Sequence, residues 1–221
     1  MIRDRSYILF CLIAVVLGLL SPAIGAQEQS ANLRLLAAGR AGDQAGVTRA
    51  LAEGASPDAR TRIGETVLLI SLKNDRSELA RQMIAAGADI NLAAANGVTP
   101  LMAAAHAGNT ELARLLLERG ADVNATDRLT KNAMTYAAGQ GQTQIVMLLL
   151  KAGVDPNAVY AHDLTALMWA AGYGHNDTIR ALLAAGARTD LKDDRGKTAL
   201  DIAREENHVD TLVLLQGNGR S

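Results

Sequence analysis

Four histidines, His106, His162, His175 and His208, are the groups of this sequence best suited to proton transfer or metal ligation. Catalysis would require them to stand beside a nucleophile, a phosphate cradle or further ligands. None of the short signatures of such sites occurs: there is no G-x-x-x-x-G-K-[ST], no G-x-S-x-G, no H-E-x-x-H and no C-x-x-C. Two Asn-x-Thr sequons, at Asn124 and Asn176, and one cysteine, Cys11, complete the candidates for chemistry. Cys11 lies inside an apolar run directly after Phe10, whereas lipidation would need a small residue after such a run.

What positions these residues is a repeat. Gly54, Gly87, Gly120, Gly153, Gly186 and Gly219 follow one another at intervals of 33 residues, and a fixed period of that size indicates stacked supersecondary units. Thr66, Thr99, Asn132, Thr165 and Thr198 share one column, and their side-chain oxygens can cap the first N–H groups of an inner helix. Pro100 follows its cap at the first helical position, where a missing N–H costs little. About nine residues later Gly42, Asp75, Gly108, Gly141, Gly174 and Asn207 form a second column of the residue types that enter the left-handed region most readily. Each inner helix is therefore expected to stop there and the chain to reverse. An outer helix follows, with runs such as Leu115-Leu116-Leu117 and Leu148-Leu149-Leu150, and the periodic glycine ends it. Asn96-Gly97 and Arg195-Gly196 mark turn tips, whereas Thr130 and Asp163 replace the tip glycine, so those two tips are expected to differ in shape. Asn124 belongs to the D-V-N turn that the repeat demands, which makes its sequon accidental.

The T-P-L-x-x-A-A opening at Thr99, the L-L-L run at Leu115 and the G-A-D-V-N ending at Gly120 resemble the ankyrin repeat, and the likeness covers nearly everything after residue 30. It implies an all-α fold, an ankyrin-repeat solenoid of about six 33-residue helix-turn-helix repeats with short β-turn or hairpin tips. The units run approximately 31–60, 61–93, 94–126, 127–159, 160–192 and 193–221, within one domain, 27–221. The first lacks the Thr-Pro opening, as a capping repeat should, after a short polar lead at Gln27 to Ser30. In this frame His175 and His208 hold a column where the family commonly places a histidine for structural hydrogen bonds. Stacked neighbours about 10 Å apart could not share one zinc held at about 2 Å per ligand. No metal or cofactor is expected.

The resemblance directs attention to the variable columns at the turns and inner helices, through which such proteins recognise partners. His106 and His162 lie there, as do Arg128, Lys131 and Gln140. After the signal region the aromatic residues are Tyr136, Tyr160, Trp169 and Tyr173, all in the fourth and fifth repeats. Tyr136 and Trp169 fall in the column otherwise held by Ile70, Ala103 and Ile202, which reads as burial between inner helices. Tyr160 and Tyr173 fall at the turn and at the end of the inner helix, where tyrosine serves as a binding hot spot. The partner-binding candidates are thus Tyr160, His162, Tyr173, Arg128, Lys131, Gln140 and His106.

Ahead of the repeats, Arg3 and Arg5 precede 14 uncharged residues, Tyr7 to Leu20, and then Ser21-Pro22-Ala23-Ile24-Gly25-Ala26. A membrane span needs roughly 20 residues. The layout reads as a secretory signal peptide over 1–26, with an uncleaved membrane anchor as the alternative. Its removal takes away Cys11, so that disulfides contribute nothing, and shifts the formal net charge from −1 to −2 by loss of Arg3, Arg5 and Asp4. Such a near-neutral chain lacks the basic excess of a nucleic-acid binder. The expectation is a non-catalytic, monomeric scaffold or adaptor in the bacterial periplasm that binds a protein of unknown identity, with no nucleic acid and no small-molecule substrate. The alternative is an accessory or regulatory subunit of an exported enzyme. The mature protein should begin at Ala26 or Gln27 and be soluble, which mass measurement of its N-terminus checks; intact Met1-containing protein found only in membranes would contradict it.

Overall fold

The computed structural model describes residues 25–218. The signal-peptide expectation for residues 1–24, and the last periodic glycine, Gly219, lie outside them. Among the described residues twelve α-helices alternate between an inner and an outer row. The inner row comprises α1 (25–41), α3 (Val67–Lys73), α5 (Pro100–Ala107), α7 (Ala133–Gly139), α9 (Ala166–Gly172) and α11 (Ala199–Glu205). The outer row comprises α2 (Gln44–Ala52), α4 (Ser77–Ala85), α6 (Thr110–Glu118), α8 (Thr143–Lys151), α10 (Asn176–Ala184) and α12 (Val209–Asn218). No named strand occurs among the described residues, and the architecture is an all-helical solenoid of stacked helix pairs, as the resemblance implies.

Local chemistry sets the ends of the inner helices from α3 onward. The side chains of Thr66, Thr99, Asn132, Thr165 and Thr198 each accept from the backbone N–H three residues on, at 3.0 to 3.3 Å. The left-handed column is complete, including its two non-glycine members Asp75 (φ 52°) and Asn207 (φ 59°). Gln27 to Ser30 is not a separate lead. It belongs to α1, where Arg34 donates to Ser30 Oγ at 2.7 Å and Ala31 is buried.

Inner helices pack closely because their facing positions are small. A methyl group on Gly39 of α1 would lie 2.6 Å from Val67 of α3, and Ala104, Ala137, Ala138, Ala170 and Ala171 are fully enclosed. In the outer row the middle leucine of each triplet, Leu116 or Leu149, is wholly buried. Burying such a side chain is worth about 1.5 to 3 kcal/mol.

Polar side chains just after the left-handed column tie repeats two, three, five and six to the one before. Arg76 donates to the Gly39 and Arg40 carbonyls at 2.8 Å, and Asn109 to Asp75 and Ser77 at 3.1 and 2.7 Å. His175 Nε2 meets the Gly139 carbonyl, and His208 Nε2 the Gly172 carbonyl, both at 3.1 Å. A carbonyl can only accept, so each imidazole carries its proton on Nε2. Gln142, in the same column, makes no such bond. Among the described residues one hydrogen bond crosses from repeat three to repeat four, Arg128 N–H to the Asn96 carbonyl at 3.0 Å.

Every tip closes the same way, by N–H to carbonyl bonds of 2.8 to 3.0 Å from Thr61 to Glu65, Ala94 to Val98, Asp127 to Lys131, Tyr160 to Leu164 and Asp193 to Lys197. Thr130 keeps the usual left-handed shape (φ 54°), contrary to the expectation that it would differ. The Asp127 carboxylate explains this by accepting from Leu129 N–H (2.8 Å) and Lys131 N–H (2.9 Å), which locks the turn around Thr130. The fifth tip does differ. Tyr160 stands in the column of Asp127 and Asp193 and supplies no acceptor; residues Ala161–Asp163 wind into a 3-10 turn with both His162 (φ 60°) and Asp163 (φ 55°) left-handed.

Gly141→Val should cost about 1 to 2 kcal/mol or more, because Gly141 has φ 67° and an added Cβ would lie 2.7 Å from His175 Nδ1. Gln140, exposed at φ −100°, tolerates valine. Urea denaturation midpoints of the two variants measure the difference, and equal midpoints would refute the turn's role.

Candidate partner-binding face

The inner helices and the tips form one face of the stack, a groove with clefts at α1, α5 and α9, and the fourth and fifth repeats supply its rings. Tyr136 on α7 and Trp169 on α9 are half-buried rather than enclosed between helices. Tyr136 meets the edge of His106 on α5 with centroids 5.8 Å apart. Its hydroxyl donates to Asp127 Oδ2 at 2.7 Å, so this buried carboxylate receives Tyr136 together with the two tip amides. Burial first, then that hydrogen bond and the Asp127 charge, push the Tyr136 phenol up to about 12.

Trp169 stacks on Tyr173 (centroids 6.4 Å, 12° between planes), and Tyr173 stacks in turn on His175 (6.1 Å, 23°). Lys131 Nζ lies 4.5 Å above the indole, a cation–π contact that joins the fourth tip to α9. The indole N–H is shielded from solvent and has no hydrogen-bond partner. Beside it a cleft of about 320 Å³ opens between Trp169, Tyr173, Met168, Ile202 and Arg195.

The structure therefore brings His106 to Tyr136, and Lys131 and Tyr173 to Trp169. Tyr173 is the most open of the rings, with 57 % of its surface exposed. Arg128 is exposed on the fourth tip and forms no ion pair, and Gln140 is exposed at the end of α7. His162 is drawn away from the rings, with Nδ1 2.8 Å from Asp194 Oδ2 on the sixth tip. Tyr160 points inward: its ring packs on the core and its hydroxyl is buried without a hydrogen bond. Burial raises its phenol, and the nearby Asn132 amide opposes part of that rise.

Sequence reasoning passed over the pairing of Asp127 with Tyr136. A signal was present, since Asp127 and Asp193 both stand five residues before an inner-helix cap. Among the described residues no group of histidine, cysteine, aspartate and glutamate could hold a metal ion, and no helix is long and apolar enough to cross a membrane.

Comparison with known proteins places these features in context. A family model described as ankyrin repeats matches three times, over residues 35–127, 71–160 and 134–220. A stretch of 63 residues is 40 % identical to the mitochondrial disaggregase of Bos taurus, covering 28 % of this chain and 9 % of that protein. A stretch of 58 residues is 41 % identical to the Homo sapiens mitochondrial disaggregase, covering 26 % of this chain and 8 % of that protein. The chain thus spans less than a tenth of the curated relatives it matches.

Tyr136→Phe should lower stability by about 1.5 to 3 kcal/mol, the scale of a hydrogen bond to a charged group. The pH dependence carries a sign. A phenol raised in the fold contributes stability that is complete below its unfolded value near 10 and is lost as pH climbs through about 12. Thermal melts from pH 8 to 12 should show this alkaline loss reduced in the phenylalanine variant, with the remainder including Tyr160; identical profiles would refute the assignment.

Proposed function

The chain belongs to the ankyrin-repeat family, whose repeats are in general protein-interaction modules, and from that premise we propose that it is a non-catalytic scaffold whose fourth and fifth repeats dock another protein. The observation that carries this reading is the open stack of Tyr173 on Trp169 beneath Lys131, with the unpaired Arg128 exposed on the same tip as Lys131. Tyrosine, tryptophan and arginine are enriched among the few residues that dominate binding energy at protein interfaces. The repeats hold these groups on short, capped helices, so little ordering cost falls on association. Export to the periplasm belongs to the same proposal and rests on the arginines, the 14-residue apolar run and the small residues before Gln27.

Crosslinking in the native compartment, followed by mass spectrometry, identifies the partner. Against that partner, Tyr173→Ala should weaken binding by about 1 to 2 kcal/mol with little change in melting temperature. Trp169→Ala should reduce both affinity and melting temperature, because the ring packs on the core as well as facing the groove. Tyr160→Ala should act on melting temperature first, since its hydroxyl is buried. Glu205→Ala, which removes only a surface ion pair with Lys197, should leave affinity intact. Loss of binding in the Glu205 variant alone would move the site to the sixth repeat.

A further inference from the structure

Three clefts occupy the same position in the groove, between an inner helix and the adjoining tips, at α1, α5 and α9. The first, about 470 Å³, has Leu33, Leu36 and Ile63 on its walls and Arg40, Arg60 and Arg62 at its rim. The second, about 410 Å³, is formed by Val98, Met102, Ala103 and Tyr136 with His106 and Lys73 at the edge. The third is the 320 Å³ cleft beside Trp169. Between the first and second, Lys73 reaches across to Glu65 at 2.6 Å, and between the second and third, Lys131 reaches over Trp169. The groove is thus a series of apolar hollows separated by lysine bridges.

Each hollow is two repeats from the next. With inner helices about 10 Å apart the hollows recur at about 20 Å, which an extended chain rising about 3.3 Å per residue covers in about six residues. Charge gives the segment its sign and one of its ends. The residues around the first hollow include three arginines and no carboxylate. Arg40 and Arg62 form no ion pair, and Arg60 is spent on the Gly64 and Ala93 carbonyls. Leu33 and Ile63 stand 65 % and 60 % exposed beside them. At the third hollow Arg195 is already neutralised by Asp193 at 2.7 Å, and Glu206 lies on the wall. We infer that the partner's docking element is an extended polypeptide segment with apolar side chains about six residues apart, and that its acidic end lies on Arg40 and Arg62. This rests on the groove being the docking face. A flat lipid surface fits less well, because the hollows are recessed between helices and tips.

The test uses fluorescence anisotropy with a labelled synthetic peptide of about 15 residues, carrying leucines at the matching spacing and glutamates around the first of them. Two controls have the same leucines in a cluster, or lysine in place of glutamate. Only the spaced, acidic peptide should bind. Raised salt should weaken it, and the doubly substituted Arg40→Glu, Arg62→Glu protein should bind it about tenfold or more weakly at an unchanged melting temperature. Equal binding of all three peptides, indifference to the charge reversal, or binding of phosphatidylglycerol vesicles without peptide would overturn the inference. If no acidic peptide binds while the crosslinked partner still depends on Tyr173, the chemistry assigned here fails and docking on the aromatic repeats stands. If the partner is indifferent to Tyr173 as well, the docking face itself is wrong.

Discussion

The stack depends on a single backbone constraint: each inner helix must end about nine residues after its cap, in one residue with positive φ. Gly42, Asp75, Gly108, Gly141, Gly174 and Asn207 all meet it. Because the reversal is the same each time, the side chain that follows always arrives at the end of the preceding inner helix. The Arg76, Asn109, His175 and His208 ties to the preceding repeat all exploit that arrival. An added Cβ at Gly141 or Gly174 would fall 2.7 or 2.8 Å from the histidine of the next repeat, so the constraint is steric as well as conformational.

The regularity makes its exceptions informative. Repeats three and four meet through apolar helix packing, the ring pair His106–Tyr136 and one backbone hydrogen bond. One joint further on, the Leu129 carbonyl is taken by the Thr130 hydroxyl at 2.7 Å and accepts nothing from the fifth tip, although Ile63, Asn96 and His162 all accept from the tip after theirs. The fourth tip is instead held from within by Asp127 and Tyr136. It is linked to the fifth repeat through Lys131 on Trp169. The aromatic residues therefore do two things at once, replacing lost polar ties between repeats and forming the floor of the groove.

That double use explains why the candidate residues separate as they do. A ring that packs on the core and also faces the groove, such as Trp169, couples fold stability to recognition. Tyr173 rests on Trp169 but stays open, which leaves it free to act on a partner alone. Groups on the tips keep their charge available only where no neighbour spends it. Arg195 is consumed by Asp193 and His162 by Asp194, whereas Arg40, Arg62 and Arg128 have no carboxylate partner.

The amino-acid sequence by itself determined the period, the caps and the reversals, because each depends on a short stretch whose chemistry recurs at fixed spacing, whereas the two histidine ties reach 36 residues back and were expected only from the family resemblance. Thr66 caps Leu69 N–H through contacts spanning four residues, and Asn207 turns left-handed for reasons local to it. Tertiary structure alone decided which way the rings face. Tyr160 and Tyr173 looked equivalent as groove residues, yet Tyr160 turns into the core while Tyr173 lies out over Trp169. The Thr130 tip, by contrast, is settled locally, since the Asp127 carboxylate three residues earlier pins the amides around it. The hollows arise only when side chains from neighbouring repeats converge. The physical reason is common to all of these: backbone caps and turns are satisfied within a few residues, whereas the burial of a ring or the freedom of a charge is set by neighbours about 33 residues away along the chain.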